Sequence, residues 1–289
     1  MAYKPLEHLS ASQIGMYLRC PRQWAYRYLE GLKVPPSGAM KLSGVGHTAI
    51  ERNYKQKVTT RTDLPMDDMT DFYADTWETE LEREEVVFDK GETADGLRDV
   101  GIAAVKEHHR VIAPKVMALS EATIEEPFNL PLVAKDPLAA PVTYRLVGRI
   151  DLTDDQNIIR DHKILGRRPS PDDVARDGQL STYALAKRLQ TKQAERGLAL
   201  DVVVKNKKPV AITIPAERSR EFLLEHLNTI GHVARGIEAG VFPRNVNGWH
   251  CSPKFCGYWS RCVGKHLKTV DLGENLQEQL EGSLDGSAK

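Results

Sequence analysis

The stretch from Val147 to Ile164 limits the folds open to this chain more than any other. Two runs rich in Val, Ile and Leu contain Gly148-Arg149-Ile150-Asp151 and Ile158-Ile159-Arg160-Asp161-His162-Lys163, and they flank the polar Asp154-Asp155-Gln156-Asn157. This pattern predicts a strand, a tight turn and a second strand paired with the first. Side chains alternate faces along a strand, so Asp161 and Lys163 share one face and His162 takes the other. Asp151 lies near the end of the first strand, where its carboxylate can approach that of Asp161.

Two converging carboxylates repel each other unless a cation lies between them, and hard oxygen ligands suit Mg²⁺ or Mn²⁺. A lysine one side-chain step away can orient a water or offset charge developing on a phosphate. Carboxylate, carboxylate and ammonium together fit hydrolysis of a phosphodiester. Asp-x-Lys alone is also what a solvated strand edge looks like, so the rest of the chain has to decide.

Three other places bear on it. Gly44-Val45-Gly46-His47 falls in a predicted helix upstream, Gln179 and Tyr183 stand four apart downstream, and Cys20 stands far from Cys251, Cys256 and Cys262. With Gly148 to Asp151 and Asp161 to Lys163, their order resembles the PD-(D/E)XK nuclease superfamily, in particular its RecB-like exonuclease branch, which includes CRISPR-associated and AddB-type nuclease domains. The resemblance spans roughly residues 9 to 266. It implies an α/β fold, a restriction-endonuclease-like mixed sheet flanked by helices, with the N-terminal helix and the C-terminal cysteine loop joined by a metal cluster.

The resemblance also implies roles. His47, Asp151 and Asp161 bind Mg²⁺ or Mn²⁺, with the carbonyl of His162 as a further ligand. Lys163 positions the attacking water or stabilises the pentavalent phosphate, and Gln179 and Tyr183 support substrate or site geometry. Cys20, Cys251, Cys256 and Cys262 hold a 4Fe-4S cluster, although the four residues between Cys251 and Cys256 exceed the gap usual in the branch. Thiolate count alone leaves zinc in a Cys₄ site and four unrelated buried thiols as alternatives. The implied activity is exonuclease action on DNA ends in recombination, repair, or phage or CRISPR DNA processing, with partner proteins from those systems. A non-catalytic DNA-end-binding or scaffold subunit, stapled by an iron-sulfur or zinc centre, is the alternative.

Composition sets outer bounds. With 289 residues, 41% of them hydrophobic and 28% charged, the chain can bury a sizeable core. No apolar run reaches the length of a membrane span and the N-terminus lacks a signal-peptide pattern, so a cytoplasmic location is expected, with reduced thiols or metal-bound cysteines rather than disulfides. Lys+Arg and Asp+Glu both number 40. Net charge therefore gives no argument for nucleic acid, and a basic groove, with Arg160, Lys163, Arg167 and Arg168 beside the site, would have to supply the attraction.

Along the chain, Ser10 with Gln13 three residues on predicts a capped helix, and Pro21 starts a second one. Trp24, Tyr26 and Tyr28 read as core. His47 and Glu51 share a helix face, and a lone helical His is usually structural, so the resemblance alone makes His47 a ligand. A helical insertion is expected over about 60–118. Ala122 to Phe128 reads as a strand, followed by a Pro-rich connection from Asn129 to Pro141; Glu121, Glu125 and Glu126 are taken as an exposed strand edge, not as ligands. Residues 200–204 and 210–214 predict another hairpin, and a long amphipathic helix follows. One nuclease domain over 1–269 is expected, with a cysteine-rich closing segment at 249–266 and a polar, flexible tail at 270–289.

Overall fold

The computed structural model describes residues 7–136 and 139–263. The predicted tail and the last residues of the closing segment lie outside them. Six strands form one mixed sheet: β1 (His8–Leu9), β2 (Ile124–Asp136), β3 (Ala139–Thr153), β4 (Ile158–Leu165), β5 (Gly197–Val204) and β6 (Val210–Ala216), in the order β1-β3-β4-β5-β6, with β2 paired along β3. β4 runs parallel to β5 and antiparallel to β3, and β5 is antiparallel to β6. The α/β fold with a mixed sheet flanked by helices is the expected one.

The central hairpin forms at Val147–Ile164 for the predicted reason. Asp154 accepts from the backbone N–H of Gln156 (3.0 Å) and Ile158 (2.8 Å), closing the turn, and Asn157 takes the left-handed conformation that Asn tolerates (φ 61°). Leu152 pairs with Arg160 and Thr153 with Ile159; continued by one residue, this register sets Asp151 opposite Asp161. Five of the eight residues of β4 are buried and none is exposed, as befits a strand covered on both faces.

The residues from Asn129 to Pro141 are not a connection. β2 and β3 form a long hairpin in which Phe128 pairs with Gly148 and Val133 with Thr143. Pro131 suggested a loop, but it stands in an edge strand, where a missing N–H costs no ladder bond.

Helices cover both faces. On one side α1 (Ala11–Arg19), α2 (Pro21–Tyr28), α7 (Gly178–Thr191) and α8 (Arg220–Glu238) bury Ile14, Trp24, Leu180, Tyr183 and Ile230 against Ile150, Ile159, Leu200 and Val202. On the other, α3 (Gly38–Thr60), α4 (Met66–Arg83) and α5 (Ala94–Val111) bury Tyr54, Tyr73, Trp77 and Val105 against Leu152, Ile164 and Val203. Ser10 and Ser37 cap α1 and α3 by accepting from Gln13 and Met40 N–H groups at 3.3 Å. Trp24 and Tyr26 are buried, whereas Tyr28 is exposed at the end of α2. No helix among the described residues is long and apolar enough to cross a membrane.

Candidate active site

The site sits where β3 and β4 carry Asp151 and Asp161 between α3 on one side and α7 on the other. Gly46 lets α3 approach β4: any Cβ there would collide with Ile164. That approach brings His47, one residue further along, to the sheet. Its Nε2 lies 2.7 Å from Asp151 Oδ2, which also accepts from the backbone N–H of His162 at 3.0 Å.

From the other side, α7 closes a chain of hydrogen bonds whose donors and acceptors are mutually consistent. Lys163 Nζ donates to Gln179 Oε1 (2.8 Å), Gln179 Nε2 donates to the Tyr183 hydroxyl (2.7 Å), and that hydroxyl donates to Asp151 Oδ1 (3.0 Å). Lys163 also holds Asp161 at 3.0 Å. Spacing of four on α7 puts Gln179 and Tyr183 on one face, as predicted. His47, Asp151, Asp161, Lys163, Gln179 and Tyr183, from four separate elements, thus meet in one place.

The His162 ring turns to the opposite face, as strand alternation predicts, stacking on Tyr54 (5.5 Å) and meeting His108 edge-on (5.3 Å), so only its backbone faces the site. One residue differs from expectation. Glu125, read from sequence as an exposed edge, is part of the site: Oε1 lies 3.4 Å from His47 Nδ1, and ligand atoms of His47, Glu125 and Asp151 fall within 4.8 Å of one another. Strand alternation could not reveal it, because Glu125 leaves regular strand geometry with φ at 51°, a strained value for a non-glycine residue.

Its neighbours hold that distortion. Glu126 accepts from Lys187 at 2.9 and 2.7 Å and from Thr153 at 3.4 Å, so α7 also grips the strand beside Glu125. Glu51, four residues after His47, pairs with Lys55 at 2.6 Å instead.

The electrostatics call for a cation. Burial raises Asp161, and the Asp151 charge raises it further against the pull of Lys163. Burial would raise Asp151 too, but the His47 hydrogen bond and charge outweigh it and hold Asp151 well below the usual carboxylate range. Burial lowers His47, yet the hydrogen bond to Asp151 and the charges of Asp151, Glu125 and Asp161 raise it to about 9. Imidazolium balances the carboxylates here; as a metal ligand His47 is neutral, and a bound cation takes over that charge as the proton leaves. Asp161 Oδ2 and Glu125 Oε1 are buried without hydrogen-bond partners. A divalent cation would satisfy these oxygens, so the donor set fits Mg²⁺ or Mn²⁺. Partial exposure of the His47 and Lys163 side chains, 31% and 29%, leaves the site open to a substrate.

The four cysteines are free thiols that line one cavity together with Tyr26, Tyr258 and Trp259. Among the described residues they do not form a group of three sulfurs within 4.8 Å. The described residues do not show a metal cluster joining the termini, although Cys20 and the stretch from Cys251 to Cys262 line the same cavity.

A family model of the PD-(D/E)XK nuclease superfamily matches residues 8–263, and the chain belongs to that superfamily. No curated protein matches it in sequence. Among solved structures, a chain from Eubacterium rectale named "Putative exonuclease" is similar over 85% of this chain and 87% of its own, with 13% identity and a TM-score of 0.51. That likeness concerns the fold. A second, SSO0001, has 12% identity over 91% of this chain and 89% of its own, with a TM-score of 0.39 that carries no argument.

Proposed function

We propose that this chain is a Mg²⁺- or Mn²⁺-dependent deoxyribonuclease acting on DNA ends. The observation that carries the reading is the closed set of contacts from Lys163 through Gln179 and Tyr183 to Asp151, facing His47 and Glu125. His47, Asp151, Asp161 and Glu125 would hold the metal, with the His162 carbonyl beside them. Bound there, the cation supplies positive charge for ionising a water and for stabilising a pentavalent phosphate.

The side chains do the rest. Burial lowers Lys163, but the charges of Asp161 and Asp151 outweigh it and keep the ammonium protonated, fixed in direction by Asp161 and Gln179. A phosphate oxygen or the attacking water is its natural partner, and a preorganised ammonium in a partly dry site stabilises developing charge without reorganising. Burial raises Tyr183 well above the ordinary phenol range, so it remains a donor that orients Asp151. Roles in recombination, repair, or phage or CRISPR DNA processing are consistent with this chemistry.

The same reading assigns a 4Fe-4S cluster to the cysteine cavity. What supports the assignment is the order of the cysteines in the chain and the cavity that all four line. Burial pushes the Cys251 and Cys256 thiols up, and Cys20 and Cys262 push the same way, so thiolates there need a cationic centre.

End-labelled single- and double-stranded DNA incubated with Mn²⁺, Mg²⁺ or EDTA tests the assignment. Metal-dependent shortening from the ends, absent with EDTA and in a folded Asp161→Ala protein, is expected. DNA that is bound but left intact under every metal condition would turn the reading to a non-catalytic end-binding subunit.

A further inference from the structure

The closing segment has a charge pattern unlike the rest of the chain. From Ala239 to Val270 there is no Asp or Glu, where the chain's average would place about four, yet Arg244, Lys254, Arg261, Lys265 and Lys268 all lie there. The positive balance is local to this window, since Asp271, Glu274, Glu278, Glu281 and Asp285 follow it in the sequence.

The same segment presents aromatics to solvent. Trp249 is 73% exposed, the highest value among the large apolar residues described as exposed, and Phe255 is 54% exposed. Their rings meet edge to face at 5.1 Å, with Lys254 Nζ 5.4 Å from the Phe255 ring. Lys254 and Arg244 are both exposed. Leaving two large rings in water forgoes burial worth about 2 kcal/mol each, so the arrangement is costly unless something covers them.

The pair is also firmly mounted. Tyr258 Oη donates to Leu32 O at 2.9 Å, Asn245 Nδ2 to Arg19 O at 2.9 Å, and the Arg22 N–H to Pro243 O at 3.2 Å. These bonds fix the segment to α1, α2 and the loop after them, so the rings are held on a scaffold and lose little freedom on binding.

We propose that Trp249 and Phe255 form a base-stacking platform for single-stranded DNA, with Lys254 and Arg244 at its phosphates. Aromatic faces bind any base but need it unpaired, and interleaved cations supply sequence-independent attraction to the backbone. A duplex hides its base faces and offers only phosphates. The platform rests on the nuclease reading above and narrows it: the strand engaged is unpaired.

The test uses the full chain in EDTA, so that nothing is cut, and follows the anisotropy of a labelled 20-nucleotide oligo(dT) and a 20-base-pair blunt duplex. Trp249→Ala with Phe255→Ala is expected to weaken oligo(dT) binding tenfold or more and leave duplex binding within twofold. Trp249→Phe, which keeps a stacking face, should retain most of the affinity. With Mn²⁺ and single-stranded substrate, the double variant should raise KM and leave kcat unchanged. If the double variant binds oligo(dT) as wild type does while wild type cleaves DNA, the platform is wrong and the nuclease stands. If wild type with Mn²⁺ cleaves neither strand form, the nuclease reading fails whatever the binding shows. Loss of a wild-type dimer in the double variant, with oligo(dT) affinity unchanged, would assign the rings to self-association and overturn the proposal.

Discussion

Replacing Glu125 with glycine should make the protein more stable and a poorer metal binder at once. At φ 51° a non-glycine residue costs about 1–2 kcal/mol, which glycine does not incur. The change also removes a half-buried carboxylate whose pKa burial raises, against the pull of the His47 charge and with that of Asp151, and whose Oε1 has no hydrogen bond. Against this, glycine gains about 0.5–1 kcal/mol of freedom in the unfolded chain. The net gain is about 0.5–1 kcal/mol, or a Tm rise of about 1–4 °C for a chain of this size. Glu125→Ala keeps the strained backbone and should melt below Glu125→Gly, the reverse of the usual order in a strand. Both variants lose a ligand, and Mn²⁺ affinity by calorimetry should fall about 10–100-fold. An alanine variant that melts at or above the glycine variant, or undiminished Mn²⁺ affinity, would refute the reasoning.

Three further outcomes are expected. Arg160 bonds Asp154 at 2.8 Å and Asp201 at 3.0 and 3.2 Å, all buried, so Arg160→Met strands two carboxylates and should cost about 3–5 kcal/mol in chemical denaturation. Burial lowers His226, bonded to Thr182 at 3.0 Å, to about 4; the unfolded chain takes up the proton near 6.5 while the folded one does not. Its stability contribution is therefore complete above 6.5 and lost as pH falls to about 4, by up to about 3 kcal/mol, and His226→Gln should flatten the stability-against-pH curve in that window. Anaerobically purified protein should show visible iron-sulfur absorbance, and Cys256→Ser should diminish it without loss of Mn²⁺ affinity.

The sequence made the central hairpin legible because its turn residues and its apolar runs agree, and register then made Asp151 and Asp161 neighbours. His47, Gln179 and Tyr183 could be placed on helix faces, but the spacing of a helix does not say what it packs against. Only the order of motifs linked them to the hairpin. Glu125 was hidden because its placement depends on a left-handed residue, and period-two alternation assumes regular strand backbone. Pro131 concealed the length of β2 for a related reason, since local propensity cannot distinguish an edge strand from a loop. The Glu126–Lys187 pair joins residues 61 apart, and no local pattern signals such a contact.

Single-turnover cleavage of end-labelled single-stranded DNA at saturating Mn²⁺ tests the central claim most directly, with wild type set beside Lys163→Met. The variant keeps the length of the side chain and loses the ammonium that Asp161 and Gln179 aim into the site. The account predicts a fall of about 100- to 1,000-fold in the cleavage rate, with Mn²⁺ still bound. Cleavage by Lys163→Met at the wild-type rate would contradict it.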